Sequence, residues 1–316
     1  MTIKLGVVMD PITSLHYKKD STLAMLGEAQ KRGWEIYYFE QKDLFLRDGI
    51  AYGDGTELFV YHGAERWFEF KNKKHMALSH LDVILMRKDP PFNEEFIYTT
   101  YLLEQAEKAG VLVVNRPQSL RDCNEKIFAT IFPQCCPPTL VSQSHDKLME
   151  FWREHRDIVC KALNSMGGAA VYHLKEGDAN ANVIFNTLTH NGSLYIQVQK
   201  FLPEIVNGDK RIIMIDGEPI EHMLTRIPNE NDWRGNLYAG ATGVTQPLSE
   251  RDRWIAGQIG PELKKRGLYF VGVDVIGDYL TEINVTSPGC VREIDAGANI
   301  NISAMLFDVI ERKRNA

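Results

Sequence analysis

The 316-residue chain has five cysteines, Cys123, Cys135, Cys136, Cys160 and Cys290, with no pair in CxxC spacing. An odd number without that spacing argues against a disulfide framework or a thiolate zinc site, and reduced thiols are expected. The nine histidines show no HxxxH or similar ligand spacing, so no histidine metal centre is expected. No apolar run approaches the roughly 18 residues of a membrane-spanning helix. The first residues pass straight into a strand-like pattern, so we expect a cytoplasmic protein with no cleaved signal and no membrane partner. Basic residues are not in excess: 36 Lys and Arg against 42 Asp and Glu leave a net charge of −6. A nucleic-acid partner is therefore not expected, since it needs a basic face, whereas a small anion needs only a locally positive pocket.

What is present is the make-up of a folded protein, 44% apolar and 25% charged. A chain this long buries a large core and divides into two or three domains. The first third alternates strand and helix. Residues 4–9 read as a strand, 21–32 as a helix capped by Asp20 or Ser21 and ended by Gly33, and 35–40 as a strand. The unit recurs as strand 81–86, helix 94–109 closed by Gly110, and strand 111–115. This predicts an α/β N-terminal domain, residues 1–122, built on a parallel doubly wound sheet. Ligands of such sheets sit beyond the carboxyl ends of the strands, here Asp10-Pro11 and residues 87–91. Arg87 and Lys88 are placed there to hold a carboxylate, although a basic pair after a strand is also an ordinary solvated turn.

Beyond residue 122 the pattern becomes α+β. A helix is expected over 124–132, strands over 139–142 and 157–163, a helix over 147–156, and turns at Asn191-Gly192 and Asp216-Gly217. A helix over 250–266, capped by Ser249, packs under a final hairpin at 268–284. That hairpin carries Asp274, Glu282 and Asn284 where apolar residues are ordinary. Glu282 and Asn284 share a face, and the turn decides whether Asp274 joins them. A two-residue Gly277-Asp278 turn pairs 274 with 281, whereas a three-residue loop, 277–279, pairs 274 with 282 and gathers all three. Two carboxylates and an amide oxygen suit Mg²⁺, while a solvated outer sheet face explains the alternation equally well.

Lys161 ends an apolar strand, and Asn164-Ser165-Met166-Gly167-Gly168-Ala169-Ala170 follows. A small-residue loop lets backbone N–H groups approach phosphate oxygens. It lacks the GxxxxGK[ST] and GxGxxG patterns, and in isolation a hairpin turn explains it. Its company gives it weight: Lys126, Lys161, Lys210-Arg211 and the acidic hairpin together supply the cations and metal ligands that bind a nucleoside triphosphate. Residues 226–243 form a long polar segment rich in Asn and Gly, as lids and binding loops are. A lid would protect an acyl phosphate from water, and Arg234 and Asn236 are placed to reach such an intermediate if the loop closes.

Several segments then point to a family. Met9-Asp10-Pro11, Arg87-Lys88-Asp89-Pro90-Pro91-Phe92, Arg121-Asp122-Cys123-Asn124-Glu125-Lys126, Gly208-Asp209-Lys210-Arg211, Arg234-Gly235-Asn236 and Thr281-Glu282-Ile283-Asn284-Val285-Thr286-Ser287-Pro288 resemble the bacterial glutathione synthetases, a branch of the ATP-grasp carboxylate-amine ligases. The likeness runs in order over nearly the whole chain. It implies an N-terminal substrate domain followed by a two-lobed ATP-grasp region, with a central lid subdomain at 123–202 and a C-terminal subdomain at 203–316. It implies ATP-dependent joining of γ-glutamylcysteine to glycine through an acyl phosphate, with Mg²⁺, for which Mn²⁺ can substitute, in a homotetramer. By that likeness Lys126, Lys161, Met166, Gly167 and Gly168 bind the ATP phosphates, Gln199, Lys200, Phe201 and Leu202 form the adenine hinge, and Asp209 takes the ribose. Asp274, Glu282 and Asn284 match the Mg²⁺ ligands, Arg211, Arg234 and Asn236 the catalytic groups, and Arg87, Ser287 and Pro288 the substrate end.

The chain departs from the family's pattern at Ala162, Asn164-Ser165, Ala241-Thr242 and Gly289. These departures leave open another acceptor amine or peptide, or a nucleotide-binding homologue with weakened catalysis.

Overall fold

A computed structural model describes residues 2–61, 66–230, 232–237 and 240–315. Among the described residues the strands form three sheets. The first holds β1 (Lys4–Met9), β2 (Glu35–Phe39), β3 (Leu44–Arg47), β4 (Ile50–Val60), β5 (Phe68–Ala77), β6 (Val83–Arg87) and β7 (Leu112–Val114). Strands β2, β1, β6 and β7 are parallel neighbours, as the strand–helix alternation predicts. Alternate side chains point to opposite faces: Leu5, Val7 and Met9 join one apolar cluster and Val8 the other. Helix α1 (Ser21–Lys31) covers one face and α2 (Glu94–Lys108) the other. Asp20 and Asn93 cap them by accepting from Leu23 N and Phe96 N. Strands β3 to β5 add an antiparallel extension to this sheet.

After a short helix α3 (Pro117–Asp122), the expected helix over 124–132 is absent. A single 3₁₀ turn, Phe128–Ile131, stands there instead. The carbonyls of Glu125 and Lys126 turn instead to Ile283 N and the Gln197 side chain, from which they accept in place of i+4 bonds. The second sheet comprises β8 (Thr139–Ser142), β9 (Ile158–Ala162), β10 (Val171–Leu174) and β11 (Ile196–Lys200), in the order β10-β9-β11-β8. Helices α4 (His145–His155) and α5 (Ala181–Leu188) close its own apolar cluster around Leu148, Phe185 and Val198.

The third sheet holds β12 (Asp209–Ile215), β13 (Glu218–Ile227), β14 (Thr242–Pro247), β15 (Phe270–Ile276) and β16 (Tyr279–Asn284). Helix α6 (Glu250–Lys265) packs on it behind a Ser249–Asp252 capping box, and α7 (Val291–Ala298) and α8 (Ile302–Arg314) follow. Two apolar clusters each join residues of this sheet to residues of the first, so those two parts share a core. Asn115 stitches them further. Its amide donates to Phe270 O and Val285 O and accepts from Phe270 N, all at 2.7–2.8 Å.

The match of Asp274, Glu282 and Asn284 to Mg²⁺ ligands requires Asp274 to face Glu282, which calls for the three-residue loop; the structure has that pairing without that loop. Ile276 pairs with Tyr279, so the turn is the two-residue Gly277-Asp278, with Gly277 at φ +56°. A β-bulge at Thr281 absorbs one residue, and its hydroxyl donates to Asp274 O at 3.1 Å. Asp274 therefore still faces Glu282, and Gly272 faces Asn284. No helix among the described residues is long and apolar enough to cross a membrane.

Candidate active site

All three sheets border one cavity of about 710 Å³, lined by the residues nominated from the sequence except Lys88 and Lys210; Lys88 Nζ instead pairs with Asp10 Oδ1 at 2.8 Å and Lys210 Nζ with Asp252 Oδ1 at 2.5 Å. The carboxyl end of β6 brings Arg87, and the segment before the 3₁₀ turn brings Lys126. Strand β9 brings Lys161, and the loop after it Met166, Gly167 and Gly168. The exit of β11 brings Gln199, Lys200, Phe201 and Leu202, and β12 brings Asp209 and Arg211. Arg234 and Asn236 come from the segment between β13 and β14. Asp274, Glu282 and Asn284 come from the hairpin, with Ser287 and Pro288 after it.

Buried charges form the floor. Arg211 grips Asp274 with two bonds, Nε to Oδ1 at 2.5 Å and Nη2 to Oδ2 at 2.9 Å. Arg226 lies between two acids, its Nη2 2.6 Å from Asp209 Oδ2 and 3.1 Å from Asp274 Oδ1. Burial pushes Asp274 upward, but Arg211 and Arg226 outweigh it and hold the carboxyl well below the usual carboxylate range. Asp209 goes the other way: burial raises it to about 6, with Arg226 opposing and the Asp274 charge adding. Its Oδ1 is buried without a hydrogen-bond partner. Burial likewise opposes ionisation of Glu282, yet Lys126 and Lys161 keep its pKa lowered, and Lys161 Nζ lies 3.5 Å from Glu282 Oε1.

Among the described residues no three His, Cys, Asp or Glu side chains gather as a metal centre. The hairpin offers two carboxylates and one amide, which is an oxygen set for a hard cation. Asn284 Nδ2 donates to Asp274 Oδ2 at 3.2 Å. With the arginine bonds, this occupies the lone pairs of Asp274. Turning the Asn284 amide over presents its oxygen and releases one position on Asp274, so the three side chains fit a divalent cation.

The loop after β9 is folded on itself. Ser165 Oγ donates to Ala169 O at 2.9 Å, and Lys126 Nζ donates to Ser165 O at 2.8 Å. Gly167 and Gly168 have φ of +64° and +79°, which a side chain would strain. Opposite them, Arg234 is held by both oxygens of Asp232 and donates Nη1 to Gly168 O at 2.8 Å.

Several cavity residues were not singled out from the sequence. Arg226, Glu125, Asp89 and Trp233 all line the cavity. Glu125 Oε1 accepts from Val285 N, Thr286 N and the Thr286 hydroxyl, which fixes the chain just beyond Asn284. Burial raises the Glu125 pKa against those bonds. Arg87 is buried, which lowers its pKa, and it donates to Thr22 Oγ1 and Pro288 O. Ser287 Oγ donates to the Asp89 carboxylate. For Arg226 the available signal was a charged residue closing the buried run Met223-Leu224-Thr225 of β13.

The departures divide. Ser165 and Gly289 line the cavity, whereas Ala241 and Thr242 do not. Thr242 opens β14, paired with Ile227. A Cβ at Gly289 would meet Ser21 Oγ at 3.9 Å, an ordinary contact, so the space beside it is open.

The chain is similar to known proteins over nearly its whole length. Residues 3–121 match the family model described as "Prokaryotic glutathione synthetase, N-terminal domain", and residues 125–299 match "Prokaryotic glutathione synthetase, ATP-grasp domain". The glutathione synthetase of Pseudomonas aeruginosa is 60% identical over 98% of both chains, and that of Pseudomonas putida 58% identical over 100% of both. That of Vibrio cholerae is 54% identical over 99% of both. Among solved structures, D-cycloserine synthetase DcsG superposes with a TM-score of 0.67 at 14% identity, covering 98% of this chain and 99% of its own. The ATP-grasp ligase PsnB complexed with minimal precursor gives 0.65 at 17% identity over 100% of both. At those identities the two structures speak for the fold: an α/β N-terminal domain joined to an ATP-grasp region.

Proposed function

This chain belongs to the prokaryotic glutathione synthetases and is an ATP-dependent ligase that forms glutathione, and on that premise we propose how its cleft divides the reaction. The carrying observation is that one cavity joins buried acids, two lysines and the carboxyl ends of the N-terminal strands. The base of ATP enters the apolar slot of Val159, Leu202 and Ile276 against the 199–202 hinge. Asp209, which lines the cavity beside the hinge residues, faces the ribose. Lys126, Lys161 and the N–H groups of the 166–168 loop face the phosphates.

The γ-phosphoryl group passes to an oxygen of the γ-glutamylcysteine carboxylate, and ADP departs. The glycine nitrogen then attacks the acyl carbon, the bond from that carbon to the phosphate oxygen breaks, and inorganic phosphate leaves. There is little covalent work for the protein in such a transfer, so positioning and charge dominate. Arg211 keeps N–H groups beyond the two given to Asp274 and turns them to the transferred phosphoryl group. Arg234 and Asn236 cover the acyl phosphate from the rim. Arg87, Ser287 and Pro288, with Asp89, hold the peptide end.

Asp274, Glu282 and Asn284 would hold Mg²⁺, with Mn²⁺ as a substitute. The ion supplies charge neutralisation on the phosphate oxygens. PsnB, of the same fold, is described in complex with Mg and ADP, which supports this. The likeness also supports a homotetramer acting in the cytoplasm, and light scattering at four chain masses checks the assembly. Incubation with ATP, Mg²⁺, γ-glutamylcysteine and a panel of amines, read by product mass, tests the substrates. Glycine as the preferred acceptor is expected, and a different preferred amine, for which the space at Gly289 leaves room, overturns that assignment.

A further inference from the structure

The segment between β13 and β14 crosses from the third sheet to the lobe built on the second, and three of its residues touch that lobe. Arg234 donates to Gly168 O. Asn236 lies so close to Gly168 that a Cβ there would come within 2.7 Å of Asn236 Oδ1. Trp233 reaches the outer end of the cleft. Its ring lies 5.4 Å from His173 of β10 and 6.0 Å from Phe201 of the hinge, inclined at 56° and 69°. His173 and Phe201 stack at 3.9 Å and 13°. Asp157 ties this pair, its Oδ1 2.5 Å from His173 Nε2 and its carbonyl accepting from Phe201 N at 2.9 Å.

The structure assigns Trp233 a positioning role that rests on the acyl-phosphate reading above: its packing on His173 and Phe201 holds residues 232–237 over the phosphate end of the cleft until the amine attacks. The lobe on the second sheet has its own apolar core, so its closure against the rest of the molecule depends on surface contacts such as these. Arg234 divides its guanidinium between Asp232 within the segment and Gly168 O across the joint. An aromatic cluster contributes an attraction that salt does not screen. If the segment lifts, water attacks the acyl carbon and the bond to the phosphate oxygen breaks. The peptide carboxylate and inorganic phosphate are regenerated, and one ATP is lost as ADP and phosphate without glutathione.

The test measures ADP and glutathione in the same reaction, with and without glycine, for the wild type, W233A, W233F and H173A. The wild type is expected to release one ADP per glutathione. W233A is expected to raise glycine-independent ADP release roughly tenfold, with the KM for ATP moving less than about threefold. H173A, which removes the other half of the ring contact, should reproduce the leak, and W233F should restore coupling. W233A that still gives one ADP per glutathione overturns the assignment, whether kcat is unchanged or reduced, because a merely structural role lowers rate without uncoupling. Should W233A not fold, a tightly coupled H173A overturns it equally. A wild type that releases no ADP with both substrates present overturns the ligase reading instead.

Discussion

Asp274 and Glu282 face each other across one hairpin, yet their surroundings make them unequal. Asp274 is buried against two arginines, so Asp274→Asn leaves buried cations short of charge and is expected to lower stability by about 3 kcal/mol as well as activity. Glu282 is less enclosed and has a looser lysine contact. Glu282→Gln is therefore expected to cut ATP-dependent turnover about a hundredfold while lowering the unfolding free energy by less than Asp274→Asn does. Steady-state ADP release beside urea denaturation checks both, and equal losses for Glu282→Gln in rate and stability would contradict a role in the reaction. Asp209 carries a pH signature. Its folded pKa of about 6 exceeds the ordinary 3.8, so the folded chain keeps this proton where the unfolded chain has lost it. The stability tied to the protonated form is full below pH 3.8 and lost as pH rises through about 6. Relative to Asp209→Asn, the wild type should lose unfolding free energy between about pH 5 and pH 7, and urea midpoints at both values measure it.

At the scale of elements, the hairpin shows what the sequence made legible and what it hid. The spacing of Glu282 and Asn284 revealed that these two share a face, while the place of Asp274 hung on the turn. The bulge at Thr281 was not legible, because its cause is a hydroxyl-to-carbonyl bond across strands and no local propensity encodes it. The helix expected over 124–132 failed similarly: the Glu125 and Lys126 carbonyls are claimed by Ile283 and Gln197, far away in sequence. Where caps are local, as at Asp20, Asn93 and Ser249, boundaries read from sequence fall within a residue or two. A Cβ at Gly260 of α6 would lie 2.2 Å from Gly217 O in the turn between β12 and β13. Gly260→Ala should therefore push that helix off the sheet and cost about 1–3 kcal/mol, against the small gain that alanine brings to a helix free of such contact. Thermal melts separate the two signs.

For the whole molecule, the first and third sheets share two apolar clusters, while the lobe on the second sheet has a core of its own. That division was only partly readable. The change from strand–helix alternation to hairpins suggested a boundary at residue 122, but core sharing between distant segments leaves no sequence pattern. The antiparallel strands β3 to β5 were passed over, their side chains being largely half-exposed or exposed. Nucleotide binding should then quiet the joint and leave the shared core alone. Hydrogen exchange is expected to slow at 164–170 and 232–237 on adding ATP with Mg²⁺, with β1 and β6 unchanged. An acyl phosphate held at this joint must take its bridging oxygen from the peptide carboxylate, and oxygen tracing follows that atom. γ-Glutamylcysteine labelled with ¹⁸O in the reacting carboxylate should pass one labelled oxygen to each inorganic phosphate released with glutathione. Phosphate free of label, with glutathione still formed, would contradict the account.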